Sequence, residues 1–363
     1  MSVEKIFVTK SFTPPEEEYQ KYVHRIFESS QFTNNGPLLK ELEKQLKEYL
    51  CVEHLQFVTN GTAALQLALR GLGITQGDII TTPFSYVATT SAILWERCNP
   101  VFVDIDSNSL CLDPNKVEAA ITPQTRAIMP VHVFGYPCDV EAIADIGKRH
   151  SIPVIYDAAH AFGCRYKGRS LLDYGDIATC SFHATKLFHT VEGGAVICHD
   201  DNINRIIDLA KRFGHHGDEH FQLGINAKAS EFQAAMGLTN LPYLDKIIQN
   251  RKKAVNQYNA LLDNTVWHPE TPADLDYNYA YYPVIFKSEE ELLKAQAKLE
   301  EDNIYLRRYF YPSLNTLPYL PTRQSCPISE DICPRIACLP LFYGIENSII
   351  KRIVNSLLKI VGV

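Results

Sequence analysis

Between residues 38 and 50 the apolar side chains Leu38, Leu39, Leu42, Leu46, Tyr49 and Leu50 recur at helical spacing, and the positions between them are mostly Lys and Glu. That spacing predicts a helix with one apolar stripe and one solvated face. Residues 15–29 predict an earlier helix, because acidic residues open the run and apolar ones follow at the same period. A short extended lead over residues 6–9 comes before it, and a loop carrying Asn34-Asn35-Gly36-Pro37 separates the two helices.

From Leu55 onward the pattern changes to short runs that are apolar throughout. These predict strands over 55–58, 78–82, 100–103, 127–133, 153–156, 177–182 and 195–198. Between them lie helical runs, an Ala- and Leu-rich one opened by Thr59-Asn60-Gly61-Thr62 and others over 85–95, 114–120, 140–149 and 202–213. Apolar strands alternating with helices indicate an α/β fold, with a mainly parallel sheet covered on both faces. Ligands of such sheets gather at the carboxyl ends of the strands. A run over 230–241, Pro242 and a long polar helix through residue 262 leave this unit. Runs over 279–286, 288–302, 304–309 and 348–360 predict a smaller α+β domain with an antiparallel sheet. The expected division is residues 1–245 and 246–363.

The chain has 363 residues, too many for one small core. Its 46% hydrophobic and 21% charged content is that of an ordinary globular protein, and a net charge of -7 argues against nucleic acid as the main partner. Ten scattered cysteines without a C-x-x-C pair suggest neither a metal site nor a disulfide framework, so a reducing cytoplasm is expected. No run approaches the roughly 18 apolar residues of a membrane span, no targeting signal is seen, and no membrane partner is expected.

The candidate chemistry centres on Lys186. It follows the predicted strand that ends in Ser181-Phe182, within Ser181-Phe182-His183-Ala184-Thr185-Lys186, and Glu192-Gly193-Gly194 closes the segment. Most lysines are solvated surface charges, but Asp157 ends another apolar strand 29 positions earlier. Pyridoxal 5'-phosphate needs such a pair: an amine for its aldehyde and a carboxylate that keeps the pyridine nitrogen protonated. Burying Asp157 unpaired would cost several kcal/mol, so it must face a cation or strong donors; a structural salt bridge is the ordinary alternative. Gly61 and Thr62 stand where a strand becomes a helix and can offer amides to a phosphate, or simply follow a capping residue. Ser181 and His183 flank Phe182 and share one side of an extended strand, so a hydroxyl for phosphate and an imidazole for substrate would lie together. His160 lies beside the ring or packs in the core, and Tyr86 stacks on the ring or packs in the core.

With these residues in view, the chain resembles the DegT/DnrJ/EryC1/StrS family of nucleotide-sugar aminotransferases. The likeness is carried by Gly36-Pro37, Asn60-Gly61-Thr62-Ala63-Ala64-Leu65, Thr82-Pro83-Phe84-Ser85-Tyr86-Val87-Ala88-Thr89, Pro100-Val101-Phe102-Val103-Asp104, Val131-His132-Val133-Phe134-Gly135, Asp157-Ala158-Ala159-His160-Ala161, Ser181 to Lys186, and Gly224-Ile225-Asn226-Ala227-Lys228-Ala229-Ser230-Glu231. The resemblance implies an aspartate-aminotransferase-like (fold type I) large domain and pyridoxal phosphate as cofactor. It makes Lys186 the Schiff-base amine and proton carrier, Asp157 the pyridinium partner, His160 its neighbour, and Tyr86 the stacking ring. Gly61, Thr62 and Ser181 become the phosphate cradle, and His183 a substrate contact. Asn226 would reach the cofactor of a neighbouring subunit, which implies a homodimer.

The implied reaction takes an amine from L-glutamate to a nucleotide-linked keto sugar. The Phe182-His183-Ala184-Thr185-Lys186 form is closer to enzymes that aminate C4 of dTDP-4-keto-6-deoxyglucose than to those that aminate C3, which stay as the alternative. A related branch that removes a hydroxyl has histidine in place of Lys186. Family members serve lipopolysaccharide O-antigen or antibiotic sugar synthesis. A non-enzymatic sensor on the same fold is the reading from another class. In the small domain, Arg307-Arg308-Tyr309-Phe310-Tyr311-Pro312 could bind diphosphate or form a packing surface.

Overall fold

The computed structural model describes residues 5–262 and 266–361. Seven strands form the main sheet: β1 (His54–Val58), β2 (Gly77–Thr81), β3 (Cys98–Phe102), β4 (Thr125–Met129), β5 (Ile155–Asp157), β6 (Ile177–Ser181) and β7 (Gly194–Cys198). One ladder runs β3-β2-β4 and another β5-β6-β7-β1. Parallel bridges Ile128 to Val154 and Val131 to Asp157 join β4 to β5. All neighbouring pairs are parallel except those made by β7, which is antiparallel to both β6 and β1. The connection 182–193 contains no helix to carry the chain across the sheet, so β7 returns beside the strand it left.

Alternate residues along the strands enter two cores. Ile155, Ile177 and Val196 pack with Ala64, Leu65 and Leu69 of helix Gly61–Gly71, while Tyr156, Ala178 and Ile197 pack with Leu42 and Leu46 of helix Pro37–Leu50. Each face of the sheet is therefore covered, as the unbroken apolar runs require. At the far end, strands Tyr282–Ile285 and Ile336–Leu339 pair antiparallel over a further core that includes Ile6, Leu292, Leu299 and Leu357. Helix Leu244–Leu262 serves both regions, with Leu244 and Ile247 in the core of the main sheet and Tyr258 and Leu262 in the far one.

Two readings change with the structure. Residues 304–309 are not a strand: Ile304 bridges to Ile6 and Arg307 to Cys338, and the aromatic end of the run turns towards the main sheet, where Phe310 is buried. The second strand of the far sheet is Ile336–Leu339 instead. Helix Ala88–Trp95 begins three residues later than its apolar pattern suggests, which leaves Ser85 and Tyr86 in the turn that precedes it.

Candidate active site

The carboxyl ends of β1, β5 and β6 open onto one cavity of about 260 Å³. At the end of β1, Asn60 caps helix Gly61–Gly71, its side chain accepting from the Ala63 N–H at 2.8 Å. The cap leaves the first helical amides, at Gly61 and Thr62, facing the cavity with the positive end of the helix dipole behind them. Gly61 is glycine because the helix start approaches β6 closely: a Cβ there would stand 2.9 Å from the Ser181 Cβ. The wall contains Gly61, Thr62, Tyr86, Asp157, His160, Ser181, His183 and Lys186, as the sequence suggests. Asn226 is exposed and does not reach the cavity of its own chain.

Asp157 is 5% exposed and ends β5. Its Oδ2 accepts from the Thr89 hydroxyl at 2.7 Å and its Oδ1 from the Ala159 N–H at 3.1 Å. It forms no ion pair among the described residues. Burial pushes its pKa up from the usual carboxylate value, against the pull of the two donors and of Lys186. The carboxylate is thus held in place while its charge has no full partner.

Lys186 is half-buried in the 182–193 loop, with Nζ 3.4 Å from the Tyr281 hydroxyl. Burial lowers its pKa, opposed by Tyr309, Asp157, Cys180 and Tyr86. The loop is fastened from outside the sheet: Ser11 Oγ donates to the Ala184 carbonyl at 2.7 Å, and His189 Nε2 donates to the Phe12 carbonyl at 2.8 Å. Gln233 donates to the Glu192 carbonyl at 2.7 Å.

His160 is buried, and its Nδ1 accepts from the Phe134 N–H at 3.2 Å, which assigns the proton of the neutral ring to Nε2. Burial holds its pKa well below the ordinary histidine value, with Lys186 adding to the effect. The ring stacks on Phe310 at 5.6 Å, so it is an uncharged plate in the cavity wall. Tyr86 is 52% exposed at the rim and available to stack rather than packed in the core. His183 Nδ1 lies 2.8 Å from the Thr185 hydroxyl, and its Nε2 lies 3.5 Å from Glu192.

Sequence reasoning assigned no definite role to several residues in or behind the cavity wall. Thr89 holds Asp157, and Ser85 Oγ lies 2.8 Å from the Thr89 hydroxyl; both fall in the Thr82 to Thr89 motif, which by itself gives neither a role. Tyr309 and Phe310, which the sequence offers only within a cationic, aromatic run with two readings, also line the cavity, and Tyr281 tilts over His160 at 4.6 Å. These come from beyond residue 280, and no local pattern connects them to the strand ends.

The DegT/DnrJ/EryC1/StrS aminotransferase family matches residues 15–358. The dTDP-4-amino-4,6-dideoxy-D-glucose transaminase of Shigella dysenteriae is 41% identical over 98% of this chain and 99% of its own. The Escherichia coli enzyme of the same description is 37% identical over 99% of both chains. The solved structure of DesI with its TDP-sugar product superposes with a TM-score of 0.93 at 30% identity, over 98% of this chain and 93% of that one.

Proposed function

The chain belongs to the DegT/DnrJ/EryC1/StrS aminotransferase family, and on that premise we propose that it transfers an amino group from L-glutamate to C4 of dTDP-4-keto-6-deoxy-D-glucose, using pyridoxal 5'-phosphate. One observation carries the reading: Lys186 and an otherwise unpaired, buried Asp157 share a cavity at the strand ends with a helix N-terminus. The C4 amino group in the description of the Shigella relative supports C4 over C3 as the site of amination.

The residues present fit the cofactor. The close approach at Gly61 brings the helix start and Ser181 together on one cavity wall, where their amides and hydroxyl would hold a phosphate, and Asp157 would supply the counter-charge for a protonated ring nitrogen. The cofactor supplies an electron sink for the substrate carbanion. Everything else falls to the side chains. Lys186, its pKa lowered by burial, takes a proton from the donor's α-carbon and returns one to the sugar carbon near neutral pH. Thr89 and the Ala159 N–H keep the Asp157 carboxylate aimed into the cavity. Neutral His160, on the cavity wall, would not compete for the Asp157 charge, and the exposed Tyr86 ring would be free to stack on the cofactor. Exposed Phe213, Phe221 and Leu223, near Asn226 in the chain, support a homodimer whose second subunit completes the site.

The test is the visible absorbance of protein supplied with pyridoxal phosphate. A band that disappears with glutamate and returns with the keto sugar, with nitrogen on C4 by NMR, is the expected result. Nitrogen on C3 would replace the C4 reading, and a protein with no band would remove the enzyme reading.

A further inference from the structure

The sequence Arg307-Arg308-Tyr309 places two guanidinium groups side by side, and the structure uses them differently. Arg308 is half-buried and occupied: it donates to Glu289 at 2.6 Å and to the Pro334 carbonyl at 2.8 Å, and lies 3.5 Å over the Tyr311 ring. Arg307 is exposed on the wall of the cavity that contains Lys186, and among the described residues its guanidinium meets no carboxylate. Its one described partner is the Tyr309 ring, 5.0 Å away, which is also a cavity wall. The backbone behind it is fixed, because the Arg307 carbonyl accepts from the Cys338 N–H at 2.9 Å on the edge of the far sheet. An arginine held by stacking, with its donor fork open to a cavity, is suited to a planar or tetrahedral oxyanion.

We infer that Arg307 binds an oxyanion of the substrates, the carboxylate of the amino donor or the diphosphate of the sugar nucleotide. The inference rests on the reading of the cavity as a transaminase site. Both substrates are anionic and must occupy the cavity in turn. Besides Lys186, which is committed to proton transfer, Arg307 is the arginine or lysine on the described cavity wall. Stacking on Tyr309 restricts its rotamers before the ligand arrives, so less side-chain freedom is lost on binding.

The test uses the cofactor-loaded enzyme and reads its half-reactions separately. Glutamate is titrated against the visible band, and the keto sugar nucleotide against the aminated enzyme. In Arg307→Gln, the half-saturating concentration is expected to rise ~10- to 100-fold in at least one arm, with the limiting rate nearly kept. Arg307→Lys, which keeps charge but loses the fork, should recover part of that loss. A rise in the glutamate arm identifies the carboxylate, a rise in the sugar arm the diphosphate, and a rise in both a shared clamp. Half-saturation within about twofold of wild type in both arms, with the band intact, overturns the inference and leaves the function standing. A wild-type band that ignores glutamate overturns the function reading, and the inference with it.

Discussion

On one side of the cavity, Gly61, Asp157 and Ser181 sit at or just beyond the ends of strands in a single sheet, and their positions follow from backbone geometry. On the other, Tyr281, Arg307, Tyr309 and Phe310 come from the region beyond residue 280 and are arranged by stacking of rings on rings. The first side allows few residue types, because a helix amide, a close approach and a buried carboxylate each demand a particular chemistry. The second allows many, because packing needs only shape. Substitutions on the strand-end side should therefore be severe and specific, whereas those on the aromatic side should be graded.

The largest effect expected is at Lys186. Lys186→Ala should lower turnover by about 10,000-fold or more while the melting temperature stays near wild type, since among the described residues its amine has a single, long hydrogen bond, to Tyr281 at 3.4 Å. Asp157→Asn should lower turnover about 100-fold or more. The cofactor-free variant should be at least as stable as wild type in chemical denaturation at pH 8, because an unpaired buried charge has been removed. Gly61→Val should weaken cofactor binding by about 10- to 100-fold, measured by titrating the visible band, because its Cβ would stand 2.9 Å from that of Ser181. A comparably sized change on the aromatic side, Phe310→Leu, should change the same titration by less than about threefold; equal effects would break the contrast.

The smallest effect is a slope with pH. His160 titrates in the fold well below the ordinary value of 6.5, so between those two values the unfolded chain binds more protons. Stability then rises with pH and is lost as pH falls below 6.5. Removing this group in His160→Gln should flatten the cofactor-free stability curve between pH 6.5 and 5 by up to about 1.4 kcal/mol per pH unit. His132, also buried and lowered to about 3, keeps its own contribution in the variant, so the curve should not become flat. Asp157, raised by burial, acts in the opposite direction at the acidic end.

The same contrast explains what could be read from the chain. The strand ends were legible because period and chemistry coincide there: an unbroken apolar run, then Asp157, then small residues; or an apolar run, then Ser181 and Lys186. The antiparallel course of β7 was not legible, because Gly194–Cys198 is apolar like its parallel neighbours and only the missing helix before it gives a sign. Thr89 was hidden because a threonine on a helix has many uses, and its bond to Asp157 spans 68 positions. Arg307 and Arg308 are indistinguishable in sequence. Only the placement of Glu289 and the Pro334 carbonyl separates a structural guanidinium from a free one.

The fastening of the lysine loop bears on the order in which the molecule is made. Ser11 and Phe12 leave the ribosome early, yet their partners at Ala184 and His189 lie 173 and 177 positions later. Contacts that close over such distances form late. The seven strands have no need of Ser11 and Phe12 to pair, so the sheet can close around a lysine that is still loosely held. The same segment also buries Ile6 and Val8 in two cores, so trimming it would cost core packing as well as release the catalytic loop. Residues 11 and 12, remote from the chemistry in sequence, are thus part of what holds the catalytic lysine's loop.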